Sequence, residues 1–297
     1  MMKSMSFGQQ SILCHATTQL RWVLLLGLLL TTGCSAFKPV NLLNTLIPSS
    51  GYTLQSGVTY GADKRQKLDI YSPTEPAIRS RIIVFVYGGA WREGNRGEYT
   101  FVAQALADAG HTVIIPDYRL YPSVVFPDFI TDVADAIVAA KLTLGKQSGK
   151  PVSEVVLMGH SSGAHTAAML ASDPGWLEGS GVTASALIAI AGPYDLPLDN
   201  PEVKPVFRNV SGPDQARPIA LVTPDHPPTL LIHGEQDERV LPFHTRNYSA
   251  ALKATGVRVD VRWLEDTGHV ASISGIATPL DSDSQNRQRI TEFLDSL

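Results

Sequence analysis

A serine hydroxyl is a weak nucleophile at neutral pH, and it becomes useful only when a base takes its proton and a third group holds that base. Three residues of this chain are spaced for that task. Ser161 is the centre of Gly159-His160-Ser161-Ser162-Gly163, a G-x-S-x-G run between the apolar stretch 155–158 and the helical stretch 164–170. A sharp strand-to-helix turn at this point lifts the hydroxyl clear of the backbone, and glycine on either side makes room for it. The helix start contributes its dipole and the free amide of Ser162, and both favour negative charge nearby. Asp237 follows the apolar stretch 229–233 through a short loop, and His269 follows the stretch 259–264 through the loop 265–268. Asp237 is the expected acid and His269 the expected base. Glu235, Glu238 and Asp266 are neighbouring substitutes for the acid, and Asp195 is a more distant one. The bland roles open to these positions are a helix cap for Asp237 and a surface loop residue for His269.

A tetrahedral intermediate needs backbone N–H donors aimed at its oxygen. Tyr87-Gly88-Gly89-Ala90-Trp91 directly follows an apolar strand and supplies candidates: Gly88, Gly89 and Ala90, joined by Ser162. A plain Gly-Gly turn is the alternative. Trp91 and His160 are the candidate pocket residues, with packing beneath the site open to Trp91 and an outward orientation open to His160. His165, one helical turn after Ser161, reads as a packing residue. His111, His226, His233 and His244 form no metal-ligand pair at useful helical spacing, so no metal site is expected.

The elements that must position these residues alternate. Segments 51–61 and 66–72 read as an opening antiparallel hairpin. Strands at 81–87, 111–116, 154–159, 185–191, 229–233 and 258–264 then alternate with helices at 99–109, 126–144, 162–172, 243–255 and 284–297. That order implies an α/β fold, a mostly parallel central sheet with helices on both faces. The long connection 192–228 is Pro-rich and can overhang the carboxyl edge of the sheet. No internal repeat is visible, which removes solenoids and propellers.

The chain has 297 residues and a formal net charge of -4, which argues against a nucleic-acid partner. Lys3 and Arg21 precede a short apolar run, 22–30, followed by Thr31-Thr32-Gly33-Cys34. This is leader anatomy, and the run is about half of the ~20 residues needed to span a bilayer. Residues 30–35 resemble a lipoprotein lipobox, with Thr31 where that pattern has Leu. The resemblance implies a signal peptide over 1–33, lipidation of Cys34, a tether over 34–50 and one catalytic domain over 51–297. The protein is then exported and lipid-anchored in the bacterial envelope, facing the periplasm from the outer membrane if the host has one. Cys14 would leave with the leader, so the mature body has no cysteine.

Tyr87-Gly88-Gly89-Ala90-Trp91, Asp117-Tyr118-Arg119-Leu120, Gly159-His160-Ser161-Ser162-Gly163-Ala164-His165, His233-Gly234-Glu235-Gln236-Asp237 and Gly268-His269 occur in this order. Together they resemble the carboxylesterase and arylformamidase-like branch of the α/β hydrolases, near hormone-sensitive-lipase-like, feruloyl and acetyl-xylan esterases. The resemblance implies an α/β-hydrolase fold and hydrolysis of small to medium esters through an acyl-serine, with no metal or organic cofactor. Tyr87 stands where that branch normally has histidine. Formamide or thioester hydrolysis is the first alternative, since loops decide among these bonds. A catalytically silent envelope lipoprotein acting as a binding module is the second.

Overall fold

The computed structural model describes residues 39–277, 280 and 285–297. The expected leader and Cys34 lie outside them. The chain divides after Leu42 into two compact units, and the unit 43–297 carries the sheet and the site.

Eight strands form one sheet: β1 (Tyr52–Thr59), β2 (Lys67–Pro73), β3 (Ile82–Val86), β4 (Thr112–Pro116), β5 (Glu154–His160), β6 (Thr183–Ile190), β7 (Thr229–Gly234) and β8 (Val259–Leu264). Their order is β1-β2-β4-β3-β5-β6-β7-β8. β1 and β2 pair antiparallel, β2 joins β4 antiparallel, and every later pairing is parallel. The opening hairpin and the mostly parallel sheet agree with the sequence pattern.

Burial follows composition. Ile83–Val86, Val155–His160 and all of β7 are buried, as near-continuous apolar strands covered on both faces must be. The edge strands β1 and β8 keep most of their residues partly or fully exposed. The helices are α1 (Pro39–Leu46), α2 (Thr100–Asp108), α3 (Asp128–Ser148), α4 (Ser162–Ser172), α5 (Phe243–Ala254), α6 (His269–Ser274) and α7 (Asn286–Asp295). α4 is buried along its whole length, and its Gly163 packs so closely that an added Cβ would lie 2.0 Å from the Val86 carbonyl oxygen. Only a small-residue helix can approach the sheet so nearly.

The segment 34–50, read as a tether, contains α1, whose Asn44 donates to the carbonyls of Gly97 and Glu98 and accepts from the Phe101 amide. Gly97 and Glu98 lie in the turn Arg96–Tyr99 just before α2, and Phe101 lies in α2 itself. α6 begins at His269, directly after the loop 265–268.

Register aligns the chemistry. Val86 pairs with Gly159, His160 with Ile190, Ile190 with Ile232, and Gly234 with Leu264, so these strands end along one edge. Strand order reverses around β3 and β5, and a crevice opens outside the carboxyl ends of strands at such a reversal. Gly88 follows β3 and Ser161 follows β5, so both lie there.

Candidate active site

Ser161 sits between β5 and α4 with φ 56° and ψ −126°, a conformation that side chains other than glycine adopt only when the surroundings enforce it. Here the Ser161 amide donates to Ile190 O at 2.9 Å, and its carbonyl accepts from Ala164 and His165. The flanking glycines are required by contact: a Cβ on Gly159 would come within 2.3 Å of Gly163 O.

The base and acid arrive from β8 and β7. His269 Nε2 lies 2.9 Å from Ser161 Oγ, and its Nδ1 lies 2.7 Å from Asp237 Oδ2. Asp237 Oδ1 accepts from the Arg239 amide at 2.9 Å and the Val240 amide at 2.8 Å. Burial opposes the charged form of Asp237, but hydrogen bonds from His233, His269 and Val240 outweigh it and hold the carboxyl well below the usual carboxylate range. A carboxylate facing Nδ1 puts the proton there and leaves Nε2 bare towards the serine. The expected Ser161, Asp237 and His269 are therefore brought together. Asp195 is instead paired with Arg217 and bonded to Asn247, and Asp266 accepts from Gln236.

The segment after β3 passes beside the nucleophile, since a Cβ on Gly88 would come within 2.8 Å of Ser161 Cβ. Its backbone turns through left-handed φ at Gly89, Ala90 and Trp91. Among the described residues, none of the amides of Gly88, Gly89, Ala90 and Ser162 donates to a backbone carbonyl outside helices and strands.

Tyr87 anchors this segment. Its hydroxyl donates to Asp117 Oδ1 at 2.9 Å and accepts from Arg65 Nη2 at 2.8 Å, while its carbonyl accepts from the Tyr118 hydroxyl. Burial pushes the Tyr87 pKa well up, so the hydroxyl stays a neutral donor. Asp117 also binds the backbone amide and guanidinium of Arg96, which pairs with Asp69. Where the branch has histidine, this chain has a phenol tied into a buried ionic network. Asp117 falls in the Asp117-Tyr118-Arg119-Leu120 motif, yet its side-chain partners lie up to 52 residues away in sequence, so its role was not readable from spacing.

The two pocket candidates behave differently. Trp91 is 4% exposed and packs edge-on to His165 and Phe207, so it belongs to the aromatic core beneath the site and not to the pocket. His160 faces inward against the His269 ring, with centroids 4.8 Å apart. His165 donates through Nε2 to Ala216 O at 2.8 Å, as a packing residue should. Sequence reasoning missed His233, which donates to Val240 O at 2.8 Å and lies 3.4 Å from Asp237 Oδ2. It closes the acid loop from below.

The chain is similar to known esterases and to a formamidase. Residues 68–196 match the family model described as BD-FAE. The chain is 32% identical to esterase LipC of Mycobacterium tuberculosis, over 73% of this chain and 59% of that protein. It is 26% identical to a probable isoprenylcysteine alpha-carbonyl methylesterase of Oryza sativa, over 71% of this chain and 57% of the relative. It is 27% identical to a kynurenine formamidase of Salmo salar, over 71% of this chain and 73% of the relative. The chain thus spans less than two thirds of the first two relatives. A truncated carbohydrate esterase from gut microbiota superposes with a TM-score of 0.68 at 23% identity, covering 84% of this chain and 98% of that one.

Proposed function

Because the chain is an α/β hydrolase of the carboxylesterase and arylformamidase-like branch, we propose that it hydrolyses carboxylic esters of small to medium size through an acyl-serine. The observation that carries this reading is the continuous chain of hydrogen bonds from Asp237 through His269 to Ser161 Oγ. His269 Nε2 takes the proton as Ser161 Oγ attacks the ester carbonyl, and Asp237 stabilises the resulting imidazolium. The Ser162 amide and those of the Gly88–Ala90 segment hold the oxyanion. The carbon–oxygen bond to the alcohol then breaks as His269 returns the proton to the leaving oxygen. A water deprotonated by His269 attacks the acyl-serine, the acid departs, and Ser161 recovers its hydrogen.

The kynurenine formamidase relative supports a second reading, in which the same residues cleave an aryl formamide. The two are separated by comparing p-nitrophenyl acetate, butyrate and octanoate with an N-formyl arylamine, each beside Ser161→Ala. Ester turnover that vanishes in the variant supports the esterase reading; formamide turnover tenfold above ester turnover moves the assignment. Absence of both, with no labelling by a fluorophosphonate, would return the chain to a silent binding module. The leader pattern supports export and lipid anchoring through Cys34. Radiolabelled palmitate incorporated by the intact chain and lost in Cys34→Ala is the expected result, and equal incorporation overturns it.

A further inference from the structure

His160 is wedged between the two halves of the site and belongs to neither. Its Nε2 lies 3.2 Å from the backbone oxygen of His269. A carbonyl only accepts, so Nε2 carries the proton and Nδ1 is a bare lone pair. That Nδ1 is buried without a hydrogen-bond partner, and a Cβ on Gly88 would come within 3.2 Å of it. One side of the ring therefore meets the oxyanion segment and the other meets His269.

A buried unpaired nitrogen is costly, and an apolar ring would fill the same space without it. The cost is offset only if the other nitrogen does something an apolar ring does not. The His269 carbonyl also accepts from Ser272 Oγ at 2.6 Å, but that bond lies within α6 and moves with it. The bond from His160 is different in kind, because His160 is the residue directly before Ser161. It ties the backbone of the base to the chain that carries the nucleophile, independently of Asp237. Burial, followed by the neighbouring His269, draws the His160 pKa down to about 3, so it stays neutral beside His269.

Resting on the serine-hydrolase reading above, we propose that His160 is a positioning residue whose Nε2–H bond to the His269 carbonyl sets the distance between base and nucleophile. The test uses the full chain in detergent and three variants. His160→Phe keeps the ring and removes the donor, His160→Gln sets an amide nitrogen near the position of Nε2, and His160→Asn reaches only the position of Nδ1. The readouts are the rate constant and end-point of fluorophosphonate labelling, with kcat and KM for p-nitrophenyl butyrate. Phe and Asn should slow labelling and kcat by about 10- to 100-fold with a full labelling end-point and unchanged KM, while Gln stays within about threefold of the native protein. A purely structural role would lower the end-point and leave the rate per active molecule alone. Labelling of His160→Phe at the native rate overturns the proposal, as does a Gln variant as slow as Asn, a comparison that stands if Phe does not fold. Failure of the native protein to label would instead bring down the serine-hydrolase reading itself.

Discussion

Replacing Asp237 by asparagine turns one oxygen of the site into an NH2 group and leaves its volume almost unchanged. The Arg239 and Val240 amides both donate to Oδ1, so the asparagine oxygen takes that place and its NH2 takes the place of Oδ2. It then faces His269 Nδ1 from 2.7 Å and His233 Nε2 from 3.4 Å. His233 cannot adapt, because its Nε2–H is committed to Val240 O. His269 adapts by making Nδ1 the acceptor, and its proton moves to Nε2, 2.9 Å from Ser161 Oγ. A protonated Nε2 cannot take the serine proton. A tautomer error of this kind lowers kcat by about 10⁴-fold, or ~5 kcal/mol of barrier. The assay is steady-state hydrolysis of p-nitrophenyl butyrate from pH 5 to 9, with the thermal midpoint as a folding check. The native carboxyl is held well below its usual range, so the defect should be constant across that window. A loss of less than tenfold in a folded variant would refute the reasoning, because the carboxylate would then not be setting the tautomer.

Gly163→Ala would place a Cβ 2.0 Å from Val86 O, a backbone atom of β3 with nowhere to go. Expression should yield insoluble protein or a chemical-denaturation loss above about 3 kcal/mol, and a native-like midpoint would contradict the packing described. Tyr87→Phe keeps the ring against Tyr118 but leaves Asp117 and Arg65 each short of a partner. A stability loss of about 1–3 kcal/mol is expected in urea unfolding, and an unchanged midpoint would show that the hydroxyl contributes nothing. Burial draws the pKa values of His165 and His244 from 6.5 down to about 4. Between those values the unfolded chain binds protons that the folded chain refuses, so their stabilisation is complete above pH 6.5 and drains as pH falls. Each costs roughly 2 kcal/mol at pH 5. Urea midpoints at pH 7 and 5 should therefore separate less in His165→Phe than in the native protein, and equal separation would exclude His165 as a source.

Ser161, Asp237 and His269 were legible because each follows an apolar strand by a short loop, and parallel strands end at one edge. The same logic nominated Gly88, Gly89, Ala90 and Ser162 as oxyanion donors. Trp91 carried both readings, and Phe207, from the long irregular connection, decides between them by packing against its ring. α6 escaped notice because six residues, His-Val-Ala-Ser-Ile-Ser, are too few to display a helical period. His160 looked like a pocket residue because sequence places it beside the nucleophile but cannot say which way it points.

The turn at Ser161 depends on three strands together: Gly163 against Val86 at the end of β3, Ser161 at the end of β5, and its amide on Ile190 of β6. A chain that has lost any of these has no reason to keep that serine at a φ of 56°. Covalent capture of Ser161 therefore counts assembled molecules one at a time. In an extract or a refolding mixture, the captured fraction is a census of finished sheets, whatever the total quantity of polypeptide.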